Sequence, residues 1–235
     1  MKVILILTEY FLYNKSNLKN KLLEPREITF TMIKERLYID FLAQFGAVPF
    51  GHNPDAIWES INFVQVNEEP SFIQPFISSG SDALARELIR IAPGKMRYVT
   101  FTNSGAESVE VAIKIARAKT QRAIILGTEN SFHGKTLGAV SVTGKSIYKK
   151  PFLVDTSCFD HVPFGDLDAL KNRLSKKDIA AFIVEPVQGE GGMTTPPLNY
   201  LTKAADLCRE FGTLFALDEV QTGLGRTRSS ICRRT

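Results

Sequence analysis

Two acidic residues directly follow apolar runs that have the composition of buried strands. Glu185 comes after the run 180–184, and Asp218 comes after the run 214–217. Burying a carboxylate is costly unless a partner offsets its charge. The carboxyl ends of strands in a parallel α/β sheet are also where ligands bind. The two acids therefore predict either a ligand site or acids that cap loops at the sheet edge, and the pattern alone leaves both interpretations open.

The segment 102–107 combines a strand end with the start of a helix. Ser104 and Glu107 have the spacing of a capping box. Gly105 lets backbone N–H groups approach a ligand closely, and a helix N-terminus favours an anion such as a phosphate. An ordinary capped helix fits the same short pattern, so the segment indicates a phosphate site only in combination with other motifs.

A further polar turn, residues 130–135, carries an aromatic ring, an imidazole and an ammonium group. The face of Phe132 is suited to stacking on a planar cofactor, and Lys135 is suited to a carboxylate or a phosphate. The alternative is that Phe132 is a core residue and His133 is a loop histidine with satisfied hydrogen bonds.

Short apolar runs alternate with helical patterns around these motifs. The strands are predicted at 98–102, 123–126, 180–184 and 214–217, and the helices at 79–93, 106–119 and 201–211. Strands that are apolar on both faces and separated by helices indicate a parallel sheet covered on both sides. The predicted fold class is therefore α/β, a mostly parallel sheet with helices on both faces.

The N-terminal part of the chain has a different sequence pattern. Residues 1–36 show no clear periodicity and suggest an irregular or helical arm. Residues 51–54, Gly-His-Asn-Pro, strongly predict a turn. We expect an N-terminal arm and segment over residues 1–75 and a partial cofactor-binding domain over residues 76–235.

Composition limits the classes of function. Lysine plus arginine exceeds aspartate plus glutamate by 29 − 25 = 4, without a basic cluster in the body of the chain, so nucleic-acid binding has no electrostatic footprint. The cysteines Cys158, Cys208 and Cys232 lack the spacing of a zinc or redox motif, and we expect no metal site and a reducing, cytoplasmic location. The apolar run 3–7 is too short for a signal peptide or a membrane span.

Four motifs occur together in one order. They are NSGAESVE at 103–110, FHGKT at 132–136, EPVQGEGG at 185–192 and DEVQTGLGRT at 218–227. In order and approximate spacing they resemble the class III aminotransferases, and the resemblance covers residues 36–227. It implies the large domain of the aspartate-aminotransferase-like fold type I, pyridoxal phosphate as cofactor, and a homodimer.

The resemblance also implies positions for the cofactor. Ser104, Gly105 and Ala106 would hold its phosphate at the helix start. Phe132 would stack on the pyridine ring, with His133 beside it.

Further roles follow from the same resemblance. Asp218 would be the catalytic residue that pairs with the pyridine nitrogen and keeps it protonated, and Gln221 would bind the phenolic oxygen of the ring. Glu185 would be an acid near the ring. Lys135 and Glu190 would lie on the substrate side of the site.

Within the family, the stretches 141–152 and 161–165 and the lysine at position 135 resemble putrescine aminotransferases. Acetylornithine and ornithine aminotransferases are close alternatives. The implied reaction moves an amino group from a diamine or ω-amino acid to a 2-oxo acid, with small molecules as the only substrates.

The chain departs from the family pattern near residue 228. The family's Schiff-base lysine lies downstream of the aspartate motif, and residues 219–235 contain no lysine. We therefore expect a chain that lacks the small C-terminal domain and is inactive alone. A frameshifted gene is the simplest explanation, because a one-base shift of the reading frame restores an apolar-aromatic continuation. The alternative is a non-catalytic remnant; a nucleotide-binding domain is a weaker alternative, since the Gly-rich fingerprints are missing.

Overall fold

The computed structural model describes residues 22–26, 29–32, 37–39, 43–70, 77–92 and 96–227. The chain forms two compact units, with the division between Ser78 and Ser79. No helix in the described ranges is long and apolar enough to cross a membrane.

The described residues of the first unit include three short antiparallel strands and an α-helix. The strands are β1 (Leu22–Arg26), β2 (Thr29–Met32) and β3 (Leu37–Ile39), in that order in the sheet. The helix α1 spans Asp55–Val66. The expectation of an irregular or helical arm is therefore wrong within β1 and β2, and residues 1–21 lie outside the described part. The polar–apolar alternation of Thr-Phe-Thr-Met in β2 has the period of a strand, but four residues are too few for a clear signal.

The second unit begins with helix α2 (Ser79–Ile91), which confirms the predicted amphipathic helix. The strand predicted at 98–102 is wrong, because these residues are irregular and pair with no strand of the described chain. Tyr98 is 91% exposed. An apolar run forms a strand only where a neighbouring strand satisfies its backbone N–H and C=O groups.

A four-stranded parallel sheet forms the centre of the second unit. Its strands are β4 (Ile124–Thr128), β5 (Phe159–Val162), β6 (Ile179–Val184) and β7 (Leu214–Leu217), in the order β5-β4-β6-β7. The predictions for β4, β6 and β7 are confirmed, whereas β5 was not predicted.

Four helices flank this sheet. They are α3 (Gly105–Thr120), α4 (Leu137–Val142), α5 (Leu167–Leu174) and α6 (Tyr200–Glu210). The predicted helices at 106–119 and 201–211 correspond to α3 and α6, while α4 and α5 were not predicted. The α/β fold class with helices on both faces is confirmed.

Alternate side chains of the strands enter two separate cores. Leu126, Phe182 and Val184 pack against α5 and α6. Ile125 and Ile183 pack against α3 and α4. Each fully buried side chain of this size contributes roughly 1.5–3 kcal/mol to folding. Both faces of the sheet are therefore buried, as expected of parallel strands.

The strand order reverses direction at β4. The chain passes from β4 outward to β5 and then returns to the other side of β4 to form β6. Such a reversal separates the two connections and opens a crevice at the carboxyl edge of the sheet. The residues that follow β4, β6 and β7 are thus brought to one edge.

Candidate active site

Asp218 lies immediately after β7 and is fixed by three hydrogen bonds. Its backbone N–H donates to Val184 O at 2.9 Å, which extends the β6–β7 ladder by one step. Its Oδ1 accepts from the N–H of Val220 at 3.1 Å. Its Oδ2 lies 2.7 Å from His133 Nδ1, and the Asp218 side chain is only 8% exposed. The carboxylate is therefore buried and held in one orientation.

His133 reaches Asp218 from the loop after β4. Its backbone N–H donates to Thr143 Oγ1 at 2.9 Å, and its side chain is fully buried. A carboxylate accepts hydrogen bonds, so Nδ1 is assigned as the donor to Asp218. His133 Nε2 is buried with no hydrogen-bond partner among the described residues. An unsatisfied buried polar atom is costly, and it marks a place where a bound group or water would make a hydrogen bond.

Glu185 is a second buried acid at this edge. It follows β6, is 7% exposed, and its Oε2 accepts from the N–H of Phe132 at 3.0 Å. Burial raises the pKa of Glu185 to about 7, and the nearby charge of Asp218 acts in the same direction. His133 and two backbone N–H groups oppose this shift without cancelling it. Glu185 is thus poised to change its protonation state near neutral pH.

Close approaches at glycines join the motifs. A Cβ atom on Gly105 would lie 2.7 Å from Val220 Cγ2, so the start of α3 touches the loop after β7. Gly134 has φ of +128°, and a Cβ atom there would lie 2.6 Å from Ala106 Cβ. Side chains at these two positions would force the segments apart.

The start of α3 carries hydrogen-bond donors. Ser104 caps the helix by accepting from the N–H of Glu107 at 3.2 Å, and Glu107 Oε2 accepts from the N–H of Asn103 at 2.6 Å. The N–H groups of Gly105 and Ala106 have no partner within the described ranges. Free N–H groups at the positive end of a 16-residue helix suit an anion.

The aromatic and charged residues of the remaining motifs meet at Tyr148. The rings of Phe132 and Tyr148 pack edge to face with centroids 5.3 Å apart. The Tyr148 hydroxyl donates to Glu190 Oε2 at 3.1 Å, and Lys135 Nζ lies 5.9 Å from the Tyr148 ring centroid. Lys145 Nζ donates to the backbone carbonyl of Glu190. One tyrosine therefore contacts an aromatic, an anionic and a cationic residue of the predicted site.

Contacts connect all four motifs. The loop after β7 reaches α3 through Val220 and the loop after β4 through Asp218, and the side chain of Gln221 packs closely on Gly189. The loop after β4 also reaches the loop after β6 through Phe132 and Glu185. The predicted site residues Ser104, Gly105, Ala106, Phe132, His133, Lys135, Glu185, Glu190, Asp218 and Gln221 thus border one continuous region at the carboxyl edge. Their individual roles stay predictions.

Three residues at this edge were not predicted as site residues. Glu110 and Thr143 make buried or half-buried hydrogen bonds to backbone groups near His133, and Tyr148 contacts Phe132 and Glu190. For all three residues, the only sequence signal was their place inside stretches that resemble the family. Their partners are distant in sequence, and periodicity does not report such contacts.

Comparison with known proteins defines the class. The model of the family "Aminotransferase class-III" matches residues 17–232. A protein named aminotransferase PigE, from Serratia sp. (strain ATCC 39006), is 45% identical over 192 residues, which is 81% of this chain and 22% of that protein. The chain therefore belongs to the class-III aminotransferase family.

Solved structures agree with this assignment. An ornithine aminotransferase from Toxoplasma gondii has a TM-score of 0.83 and 27% identity, over 95% of this chain and 56% of that chain. An (S)-enantioselective omega-transaminase from Thermomicrobium roseum has a TM-score of 0.82 and 31% identity, over 90% and 53% of the two chains. A taurine:2-oxoglutarate aminotransferase from Bifidobacterium kashiwanohense, solved with PLP and glutamate, has a TM-score of 0.81 and 27% identity, over 90% and 53%.

These structures place the sheet in the fold type I of PLP-dependent aminotransferases. The chain spans about half the length of the solved relatives and about a fifth of the length of PigE.

Proposed function

We propose that this chain forms the cofactor-binding part of a pyridoxal-phosphate-dependent aminotransferase, which moves an amino group from a diamine or ω-amino acid to a 2-oxo acid. The observation that carries the proposal is the buried Asp218 carboxylate, joined to His133 and connected through Val220 to the start of α3. An acid and an anion-binding helix start at one sheet edge match the two ends of pyridoxal phosphate.

The residues at this edge fit the chemistry of the cofactor. The phosphate would bind Ser104 and the N–H groups of Gly105 and Ala106, which have no partner in the described part of the chain. Phe132 would supply the ring face, and Gln221 would bind the phenolic oxygen. Among the described residues, each Asp218 oxygen has one hydrogen-bond partner, and it keeps acceptor capacity for a protonated ring nitrogen.

Bound pyridoxal phosphate would supply an electron sink for the substrate carbon that loses a proton. Asp218 would hold a proton on the ring nitrogen by its charge, and His133 would keep that carboxylate oriented. Glu185, buried beside both groups, would adjust the local charge, because its pKa of about 7 places its ionisation in the working range.

Substrate recognition is proposed for Lys135 and Glu190. Lys135 would meet the carboxylate of the 2-oxo acid, and Glu190 would face the amine. The contact between Glu190 and Tyr148 supports a common surface for these two residues. The amino donor of the putrescine branch is proposed from the lysine at 135 and from the 141–152 stretch, with ornithine-type donors as the alternative.

The active protein is proposed to be a cytoplasmic homodimer that carries the family's lysine. Residues 219–235 have no lysine, so the 235-residue polypeptide by itself should not catalyse transamination. Turnover by this polypeptide with pyridoxal phosphate, an amine and 2-oxoglutarate, free of host enzymes, would contradict that part of the proposal.

Binding of pyridoxamine 5′-phosphate tests the cofactor site directly. This form has no aldehyde and does not react with surface lysines, so its fluorescence reports non-covalent binding. We expect saturable binding to the 235-residue chain, much weaker binding of pyridoxamine, and weakened binding in Asp218→Asn. Equal binding of pyridoxamine with and without the phosphate, or no binding at all, would refute the proposal.

A further inference from the structure

Glu110 connects the helix at the phosphate end of the proposed site to a second helix. It lies on α3, and its Oε1 accepts from the N–H groups of Gly138 at 2.7 Å and Ala139 at 3.1 Å. Both N–H groups belong to the first turn of α4, where they have no partner within the helix. A carboxylate at this end also interacts favourably with the helix dipole.

The hydrogen bonds continue from Ala139 to the ring end of the site. Ala139 O accepts from Thr143 Oγ1 at 3.0 Å, and Thr143 Oγ1 accepts from the N–H of His133 at 2.9 Å. His133 Nδ1 then lies 2.7 Å from Asp218 Oδ2. Hydrogen bonds thus link Glu110 through Ala139, Thr143 and His133 to Asp218, the carboxylate that would pair with the ring nitrogen in the proposed function.

The far end of α4 is held as well. Lys149 Nζ donates to the backbone carbonyl of Thr143 at 2.7 Å. The hydroxyl of the same threonine accepts from the backbone N–H of His133. Between these ends, Ala139 lies against the loop that carries His133, since a Cβ atom on Gly134 would be 3.1 Å from Ala139 Cβ. Helix α4 is therefore fixed between Glu110 and Lys149, and it supports the His133 loop.

We infer that Glu110 is a positioning residue for the cofactor: it sets the distance between the phosphate-binding start of α3 and the His133–Asp218 pair by holding α4. The inference rests on the proposed function. Glu110 itself would touch neither cofactor nor substrate. An amide oxygen would accept the same two N–H groups, whereas a side chain shorter by one methylene would not reach them.

The test uses the 235-residue chain with Glu110→Gln, Glu110→Asp and Glu110→Ala. Asp166→Ala is the matched control, because Asp166 caps α5 by accepting from the N–H of Ala169 at 2.8 Å, and α5 packs on the opposite face of the sheet from α4. The measurements are the dissociation constant for pyridoxamine 5′-phosphate, the ring-nitrogen NMR signals of His133, which is one of three histidines, and the unfolding midpoint.

We expect the dissociation constant to rise roughly tenfold in Glu110→Asp and Glu110→Ala, the size seen when outer supports of a ligating group are removed. The His133 ring-nitrogen signals should shift in the same two variants. Glu110→Gln should stay within about threefold of wild type. Asp166→Ala should lower the unfolding midpoint without moving the His133 signals or the dissociation constant. If Glu110→Ala does not fold, the comparison of the Gln and Asp variants carries the test.

Two failures are distinguishable. If the wild-type chain does not bind pyridoxamine 5′-phosphate, the proposed function fails and the inference falls with it. If wild type binds but Glu110→Asp binds equally well with unchanged His133 signals, Glu110 is only a helix cap and the inference alone is wrong.

Discussion

Charged side chains have different partners at the two edges of the four-stranded sheet, the edge of the strands' amino ends and the edge of their carboxyl ends. At the amino edge, Arg122 Nη1 donates to the carbonyls of Ile179, Phe211 and Gly212 at 3.0 to 3.1 Å. Arg173 pairs there with Asp160 at 2.5 Å and with Asp178 at 2.7 Å. Each cation meets carbonyl oxygens or carboxylates, so this edge is satisfied by the protein itself.

The carboxyl edge brings acids together instead. Glu185 and Asp218 are both buried, and the interaction between them helps to raise the pKa of Glu185. His133 carries a buried nitrogen without a partner in the described residues. Such an arrangement is costly for folding alone. A satisfied polar network therefore holds the sheet together at the amino edge, whereas the unsatisfied network at the carboxyl edge is the candidate for binding a ligand.

The largest expected effect is a loss of activity from a substitution at the carboxyl edge. In a polypeptide that carries the family's lysine, Asp218→Asn should lower kcat by at least roughly a hundredfold, because an amide cannot hold a proton on the ring nitrogen by charge. The unfolding transition should change little. Near-normal turnover in steady-state assays would make Asp218 a structural residue and remove the contrast between the edges.

The close approach at Gly134 gives the next largest effect. Gly134→Ala combines a left-handed backbone with a collision against Ala106 and should cost about 3 kcal/mol in urea unfolding, with loss of pyridoxamine phosphate binding. Gly192→Ala is the matched control, since Gly192 has φ of +97° with nothing within 4 Å. The control should cost only about 1 kcal/mol. Equal costs would show that the contact with Ala106 is unimportant.

At the amino edge we expect a loss of stability without a loss of binding. Arg122→Ala removes a donor from three carbonyls, of which that of Ile179 keeps the Thr213 hydroxyl as a donor at 3.2 Å, and it should lower the free energy of unfolding by about 2 kcal/mol. The dissociation constant for pyridoxamine phosphate should not change. Arg209→Ala changes an exposed arginine whose partner in the described part of the chain is the exposed Asp206, and it should change stability by less than about 0.5 kcal/mol. A binding defect in Arg122→Ala would break the comparison.

The smallest expected effect is a gain in stability at the carboxyl edge. The pKa of Glu185 is about 7 when folded and lies above its ordinary value of 4.5, so the folded chain holds a proton that the unfolded chain releases between these values. Wild-type stability should therefore fall as pH rises through this window. Glu185→Gln removes the ionisation, and its advantage over wild type should grow from almost none at about pH 3.5 to about 1.4 kcal/mol at about pH 5.5.

Urea unfolding of both proteins at several pH values measures this difference. Glu210→Gln, at an exposed position at the end of α6, is the control for removing one negative charge. A constant difference between Glu185→Gln and wild type across the pH range would contradict the assigned shift.

The sequence predicted the elements whose signal is local. Strands β6 and β7 are continuous apolar runs, and α3 has a capping serine and buried positions Val109, Ile113 and Ala116 at helical spacing. The order of the motifs also predicted that their residues meet at one edge. Each of these conclusions depended on residues close together in the chain or on a pattern shared with a family.

The elements that were missed depend on distant partners. Strand β5 reads Phe-Asp-His-Val and is only partly buried, so it lacks an apolar run. Helix α4 has six residues, too few for a periodic signal, and its cap is Glu110 from another helix. The run 98–102 is apolar enough for a strand, but the described chain provides no neighbour for it. Tertiary contacts decide these cases, and periodicity cannot report them.

The alternation that sorts side chains between the two cores also decides which way Glu185 faces at the carboxyl edge. From Ala181 to Val184 the strand β6 alternates between the faces, and continuing this parity points Glu185 to the side of Ile183, α3 and α4. Deleting one residue from β6 would exchange Phe182 and Ile183 between cores of different size and turn Glu185 away from Phe132 at the same time. An insertion or deletion in this strand should therefore disturb folding and the proposed site together.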